Sequence, residues 1–138
     1  MRFEDIAEGT ELPELVFPVT ASAIAVGAIA TNDYETVHHD KAAAEATGVP
    51  NIFMNILTTN GLVQRFVGAW AGPEARVRKI RIKLGAPNFA GDTMRINGTV
   101  SRVDPATGEV DVAVFGRNGI GEHVGATVTL HFPERSAA

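Results

Sequence analysis

The chain has 138 residues, of which 45% are hydrophobic, so it can form one domain with a core of its own. A formal net charge of −4 argues against nucleic acid as a partner, and the absence of cysteine excludes disulfides and thiolate metal sites. Neither a secretory signal nor an apolar run of the roughly 20 residues that a membrane helix needs is present, so we expect a cytoplasmic protein that does not bind membranes.

The first predicted helix carries no charge. Residues 12–19 can form a strand that Pro13 and Pro18 interrupt, and Thr20 is suited to cap a helix over 21–30. A helix on a protein surface normally has a charged face. We therefore expect this helix to be covered on several sides. Because the mean hydropathy is also slightly positive, at +0.06, we expect the chain to bury surface in an oligomer.

Two further helices and four strands follow. Asp40 is suited to cap a short helix over 41–47, and a long apolar helix over about 54–70 stops at Gly72-Pro73. Alternation and turn signals predict strands over 75–84, 93–103, 110–117 and 123–132, the last two joined as a hairpin. One long apolar helix with a mostly antiparallel sheet indicates an α+β fold, and we predict a single domain over 1–138.

The segment 33–40, Asp-Tyr-Glu-Thr-Val-His-His-Asp, holds the strongest candidates for chemistry. Asp33 lies five residues before His38, which is too far for one helical turn, so we expect a loop that directs both groups toward one water. A carboxylate and an imidazole that share a water can add water to a double bond or remove it. The structural alternative is that Asp33 caps a turn and that His38 is a solvated loop histidine.

Two motifs in this order resemble the MaoC-like hydratase/dehydratase family. The family pattern has Asp, usually Asn-Pro, then His and Asp at the spacing of Asp33, His38 and Asp40, although Glu35-Thr36 replaces Asn-Pro here. The segment 84–93, Leu-Gly-Ala-Pro-Asn-Phe-Ala-Gly-Asp-Thr, is similar to the family's Ala-Pro-x-Phe-x-Gly-Asp turn between two strands. The resemblance covers nearly the whole chain and implies a hot-dog fold, in which the sheet wraps around the long helix.

The resemblance also implies hydration of a 2-enoyl-CoA thioester, or its reverse, with Asp33 and His38 as the catalytic pair. It assigns stabilisation of the thioester oxygen to a backbone N–H at the start of the long helix, near Asn55. Asn55 stands where the family usually has Gly, so its side chain either narrows the site or donates a hydrogen bond of its own. Met54 belongs to the expected substrate-binding residues. Coenzyme A is part of the substrate, and no cofactor is expected.

A closer similarity concerns the runs His38-His39-Asp40, 52–58 and 61–65. These runs are similar to the small MaoC subunit of actinobacterial two-subunit hydratases that act on steroid side-chain enoyl-CoA thioesters. In those enzymes the small subunit pairs with a MaoC domain of a larger, different chain. The similarity implies a bulky acyl group, and the partner is either a second copy or such a larger subunit.

Two sets of residues are candidates for substrate contact. Lys79, Arg81 and Lys83 alternate along one predicted strand, and they either form a solvated strand face or meet the phosphates of coenzyme A. Gly27 lies on a face of small residues of the first helix. These small residues either widen an acyl pocket or permit tight packing against a neighbouring helix, and we count Gly27 among the substrate-binding candidates.

The residues argue against three alternatives, namely a metal site, a thioesterase and a non-catalytic partner subunit. Adjacent histidines on an extended segment point to opposite sides, so we expect no metal site at His38 and His39. An acyl-CoA thioesterase on the same fold commonly carries a carboxylate on the central helix, and 54–70 contains none. A non-catalytic partner subunit has no chemical need for both Asp33 and His38.

Overall fold

The computed structural model describes residues 1–133, which form one five-stranded antiparallel sheet and three α-helices. The strands are β1 (Glu11–Pro18), β2 (Arg76–Leu84), β3 (Thr93–Asp104), β4 (Glu109–Asn118) and β5 (Gly121–His131). The helices are α1 (Ala21–Ala30), α2 (Lys41–Ala46) and α3 (Ile56–Ala71). The strands lie in the order β1-β3-β4-β5-β2, so β1 and β2 form the two edges of the sheet.

Helix α3 packs against one face of the sheet, and this contact forms the hydrophobic core. On α3, Leu62, Val63, Phe66 and Val67 are buried at helical spacing. The same core contains alternate residues of the three central strands, among them Val100, Val110, Val112, Val114, Val124 and Val128. A long helix covered by an antiparallel sheet is the arrangement that the sequence predicted, and the hot-dog fold is confirmed.

One helix boundary affects the candidate site. Helix α3 begins at Ile56, two residues later than predicted, because Asn55 has an extended backbone and caps the helix. The Asn55 side chain accepts a hydrogen bond from the backbone N–H of Thr58 at 3.1 Å. At the other end, Gly72 has a φ of 87°, in the left-handed region that favours glycine, and the helix stops there as predicted.

Only one face of α1 is covered by the chain itself. Ile24 and Ala28 are buried, whereas Val26 is 64% exposed and Ile29 is 54% exposed. In the described part of the chain the helix is covered mainly by α3, and its cover by a partner chain stays a prediction. Within residues 1–133, no helix has the length and apolar character needed to cross a membrane.

Candidate active site

A turn directly after α1 brings Asp33 and His38 together. Asn32 adopts a left-handed φ of 56°, and the Asp33 N–H bonds back to the Ala28 carbonyl at 2.9 Å. A 3₁₀ turn over Thr36–His38 then folds the chain back. As a result, His38 Nε2 lies 3.4 Å from Asp33 Oδ2. The predicted loop is present, and it places the two groups on one side.

The neighbouring histidine points elsewhere. The His38 ring is buried, whereas His39 is exposed and its Nε2 lies 3.3 Å from the Tyr34 carbonyl. The prediction of an extended segment at these two residues is wrong, because His38 ends a 3₁₀ turn. The two rings nevertheless bond to different carbonyls, so they do not form a common site.

The hydrogen bonds of His38 determine which of its nitrogens faces the cavity as an acceptor. His38 Nδ1 lies 2.6 Å from the carbonyl of Phe53, which can only accept, so Nδ1 carries the hydrogen. In a neutral imidazole the other nitrogen, Nε2, is then an acceptor. The Phe53 ring meets the imidazole at an angle of 82° with centroids 5.1 Å apart, which holds the ring in place. The Nε2 lone pair is thus directed toward Asp33.

Two donors stabilise the ionised form of Asp33. Asn55 Nδ2 donates to Asp33 Oδ2 at 2.9 Å, and the Glu35 backbone N–H donates to Oδ1 at 3.2 Å. The Asn55 bond and the Glu35 bond hold the pKa of Asp33 below its ordinary value. At neutral pH the carboxylate is therefore ionised and acts as an acceptor.

Asn55 connects the catalytic turn to the central helix. Its Oδ1 caps α3 through Thr58, while its Nδ2 donates to Asp33 and, at 2.9 Å, to the Thr31 hydroxyl. Asn55 is only 3% exposed. Both the oxygen and the nitrogen of its amide are therefore bonded within the chain, and its effect on a bound thioester stays a prediction.

The two candidate catalytic groups converge as acceptors. Asp33 Oδ2 and His38 Nε2 are 3.4 Å apart, and neither can donate to the other when Asp33 is ionised and His38 is neutral. A molecule that donates two hydrogen bonds satisfies both groups, and a water molecule has two O–H donors. The arrangement can therefore hold a water whose oxygen lone pairs remain available to a reactant in the cavity.

A cavity of about 320 Å³ opens beside this pair. Besides the pair, its walls include Phe53, Met54, Asn55, Ile56, Leu84, Gly85, Pro87 and His123. The cavity therefore lies between the catalytic turn, the start of α3 and the end of β2. Met54 lies at this wall and is 3% exposed, and its contact with the substrate stays a prediction.

His123 on β5 is a cavity residue that the sequence analysis did not single out. It is 2% exposed, its Nδ1 lies 2.7 Å from the Ala86 carbonyl, and its Nε2 lies 2.8 Å from the Thr59 hydroxyl. The carbonyl fixes the hydrogen on Nδ1, so Nε2 accepts from Thr59. Burial lowers the pKa of His123, and the ring is neutral at pH 7. The sequence feature that could have indicated this place at the cavity is a histidine at an inward-facing position of a predicted strand.

The turn 85–92 fixes the segment that enters α3. Asn88 is fully buried, and its carbonyl accepts the Met54 N–H at 2.9 Å. Its side-chain oxygen accepts from Asn118 at 2.9 Å, and Phe53 pairs with Phe89 as an isolated β-bridge. The turn motif therefore positions the Phe53 carbonyl, which in turn orients His38.

Gly27 is not among the residues that line the cavity, and its contact with a substrate stays a prediction. A Cβ at Gly27 would overlap the hydroxyl of Thr58 on α3 and lie 2.9 Å from the Thr58 methyl. Real Cβ atoms do not approach other atoms this closely. The glycine permits close packing of α1 on α3, which was the alternative explanation of the small residues.

Lys79, Arg81 and Lys83 also lie outside the cavity walls. All three are exposed on β2, with Leu84 as the first cavity residue after them. Contact with the phosphates of coenzyme A, outside the cavity, stays a prediction.

Replacing Asn55 by Ser is expected to raise the pKa of Asp33. Serine keeps a capping oxygen for α3 but removes the amide that donates to the carboxylate. The measurement is a carboxyl ¹³C NMR titration. The matched control is Asn97→Ser, which removes the same kind of donor from Glu14, where the Asn97 bond is the largest cause of a lowered pKa. The control should raise the pKa of Glu14 alone, and an unchanged Asp33 in the Asn55 variant would contradict the expectation.

Acid is expected to destabilise the fold through His123. Its pKa is lowered in the folded chain, so below the unfolded value of about 6.5 only the unfolded state takes up the proton. Stability is complete above that pH and falls as the pH drops toward the folded pKa, by at most about 1.4 kcal/mol per pH unit. Urea unfolding at pH 7 and pH 5.5 measures how much free energy of unfolding is lost on acidification. His123→Leu should lose less than the unchanged chain, whereas His39→Gln should lose the same amount. Equal losses in the unchanged chain and both variants would exclude His123 as the source of the acid sensitivity.

Comparison with protein families gives the class of this fold and site. The model of the "MaoC like domain" matches residues 4–117. A Mycobacterium tuberculosis (strain ATCC 25618 / H37Rv) protein, the 3-oxo-4,17-pregnadiene-20-carboxyl-CoA hydratase beta subunit, is 47% identical over 122 residues, which are 88% of this chain and 93% of that protein. The chain belongs to the MaoC-like domain family.

Solved structures show the same fold. A chain of the ChsH1-ChsH2 complex from Mycobacterium tuberculosis superposes with a TM-score of 0.89 and 45% identity, over 92% of this chain and 98% of that chain. R-hydratase PhaJ1 from Pseudomonas aeruginosa superposes with a TM-score of 0.88 over 97% of this chain and 86% of that chain. The second pair is only 18% identical, so it bears on the fold alone.

Proposed function

We propose that the chain is a subunit of an enoyl-CoA hydratase that adds water to a 2-enoyl-CoA thioester with a bulky acyl group. The observation that carries this proposal is the convergence of two acceptors, Asp33 Oδ2 and His38 Nε2, on one side of a cavity. The steroid side-chain class of substrate is supported by the relative named as a hydratase of a pregnadiene-carboxyl-CoA.

In the proposed hydration, the water donates to Asp33 and His38 while its oxygen attacks Cβ of the enoyl group. His38 Nε2 takes the proton, because the pKa of Asp33 is lowered and its carboxylate is a weak base. Asp33 stabilises the imidazolium that forms. The Nε2–H bond then breaks and its proton forms the new Cα–H bond, so the net change is the addition of one water.

Negative charge develops on the thioester oxygen during the attack. We propose that a backbone N–H at the start of α3, at or next to Asn55, stabilises it. The first N–H groups of a helix have no acceptor within the helix, and the helix dipole is positive there. Asn55 and Ile56 both lie at the cavity wall, so this end of α3 faces the reactant.

The reaction consists of proton transfers and one C–O bond, so we propose that it needs no cofactor besides the coenzyme A of the substrate. We also propose that the working assembly contains a second MaoC-domain chain. Two observations support this: exposed apolar side chains beside the cavity, such as Ile56 at 49%, and the two-subunit complex that contains the similar ChsH chain.

The test is an assay of the chain, alone and mixed with the chain that partners the superposed one in the ChsH1-ChsH2 complex, on enoyl-CoA thioesters with short, long and steroid acyl groups. Loss of enoyl-thioester absorbance without release of free coenzyme A thiol is expected for the mixture. This chain adds nothing to the thiol background, because it has no cysteine. Thiol release would indicate a thioesterase. Full activity of a mixture that contains Asp33→Asn in this chain would indicate a non-catalytic subunit.

A further inference from the structure

Asn88 is a buried amide whose two ends have unequal partners. It is 0% exposed, and its Oδ1 accepts a hydrogen bond from Asn118 Nδ2 at 2.9 Å. Within residues 1–133, the partners of its Nδ2 are two sulfurs, Met94 Sδ at 3.1 Å and Met54 Sδ at 3.9 Å. A thioether is a weak acceptor, so the buried NH2 group costs free energy that an apolar side chain would not. This cost indicates that the amide serves through its other end, the bond to Asn118.

Asn118, the last residue of β4, uses its whole side chain for hydrogen bonds. Its Oδ1 accepts from the backbone N–H groups of Ile120 and Gly121 at 3.0 and 3.1 Å, in the turn between β4 and β5. Its Nδ2 donates to Asn88 Oδ1 and to the Pro87 carbonyl, both at 2.9 Å. Both hydrogens and both acceptor sites are occupied, so the orientation of the amide is fixed. The hairpin thereby holds the backbone at Pro87 and Asn88 in place.

The segment 52–54 is bonded to this backbone at both of its ends. The Met54 N–H donates to the Asn88 carbonyl at 2.9 Å, and the Ala90 N–H donates to the Ile52 carbonyl at 3.1 Å. A displacement of the turn would therefore move the whole segment, including the residue between these two ends.

That middle residue, Phe53, is bonded to the catalytic turn in two places. The Phe53 N–H donates to the Val37 carbonyl at 3.3 Å, and the Phe53 carbonyl lies 2.6 Å from His38 Nδ1. The hydrogen bond at one nitrogen of a neutral imidazole sets which nitrogen carries the hydrogen. The position of the Phe53 carbonyl, which depends on Asn88, therefore decides whether His38 Nε2 is free to accept a proton.

We propose that Asn88 and Asn118 are positioning residues for His38, which hold the Phe53 carbonyl where it keeps the hydrogen on Nδ1 and leaves Nε2 as the acceptor. The proposal rests on the proposed function in taking His38 as the base. It adds two residues that are not in the cavity wall and that act through the backbone. The alternative, that the pair only stabilises the hairpin against the turn, predicts a loss of stability with no change at His38.

The test measures the tautomer of His38 by two-bond ¹H–¹⁵N NMR of the full chain at about pH 8, where an ordinary imidazole is neutral. The His38 signals are identified by their loss in His38→Gln. Asn118→Asp keeps oxygens for the Ile120 and Gly121 N–H groups but replaces both donors to the turn by an oxygen. The unchanged chain should show one tautomer, with the hydrogen on Nδ1. In Asn118→Asp the two nitrogen shifts should approach each other, because both tautomers are then populated.

The same variants should affect turnover in the assembled enzyme. Asn118→Asp should lower kcat for hydration about tenfold, because a small misplacement of a reacting group has an effect of this order. KM should change less, since neither asparagine lines the cavity. Asn88→Val removes the acceptor at the other end of the same bond and should give the same changes. The double variant should not exceed the larger single effect, because both substitutions interrupt one chain of bonds.

The control variant Asn97→Asp makes the same change at an exposed amide on β3, which donates to Glu14 at 3.2 Å, and it should leave both readouts unchanged. Thermal unfolding shows which variants are folded, and one folded variant of the pair is sufficient. Folded Asn118→Asp or Asn88→Val protein that keeps the tautomer of the unchanged chain would overturn the proposal. A changed tautomer with an unchanged kcat would support the positioning but contradict His38 as the base, so the two failures are distinguishable.

Discussion

Replacing His38 by Gln, or Asp33 by Asn, is expected to lower kcat/KM for hydration at least about a hundredfold in the assembled enzyme. The amide nitrogen of glutamine is not basic, so it cannot replace His38 Nε2 in taking the proton from the water. Asparagine offers one acceptor and one donor where the ionised carboxylate offers acceptors only, so it competes with the water for the imidazole. The measurement is steady-state hydration of an enoyl-CoA at neutral pH.

The matched control is His39→Gln. This histidine is adjacent in sequence but exposed, and its side chain lies near the Tyr34 carbonyl and outside the cavity, so its loss should leave turnover within a few-fold of normal. Thermal unfolding of all three variants separates chemistry from folding. Near-normal turnover in a folded Asp33 or His38 variant would remove the mechanism.

Substitution of Gly27 is expected to destabilise the protein. Alanine adds a Cβ that overlaps Thr58, whose β-branched side chain has little rotational freedom in α3. Overpacking of this kind costs about 1–3 kcal/mol, which exceeds the roughly 1 kcal/mol that alanine gains over glycine in a helix. Gly27→Phe should cost more and should reduce activity equally on bulky and short enoyl-CoAs, because the residue lies outside the cavity wall.

Two further variants test this explanation by urea unfolding. Gly61→Ala lies on α3 with no atom within 4 Å of the added Cβ, and it should be neutral or stabilising. Gly27→Ala combined with Thr58→Ala removes both Thr58 atoms that lie closest to the added Cβ, and it should recover most of the loss. A Gly27→Phe protein that loses activity only on bulky substrates would instead place this face of α1 at the acyl group.

The sequence determined the elements and the candidate pair because both depend on local pattern. The alternation along β2–β5 and the spacing of Leu62, Val63, Phe66 and Val67 each indicate a buried face without knowledge of the other element. The interval between Asp33 and His38, followed by the Ala-Pro-x-Phe-x-Gly-Asp turn, was sufficient for the family resemblance. Thr20 and Asp40 were recognised as helix caps because a cap bonds within three residues.

Only the tertiary structure decided the roles of Gly27, Asn55 and His123. A small residue on a helix permits either a wide pocket or a close neighbour, and the choice depends on Thr58, which is 31 residues away in the chain. The amide of Asn55 reaches Asp33, 22 residues earlier, and His123 reaches the cavity from β5. These contacts join elements that are distant in sequence, so no local period or spacing encodes them, and they exist only once the sheet has closed over α3.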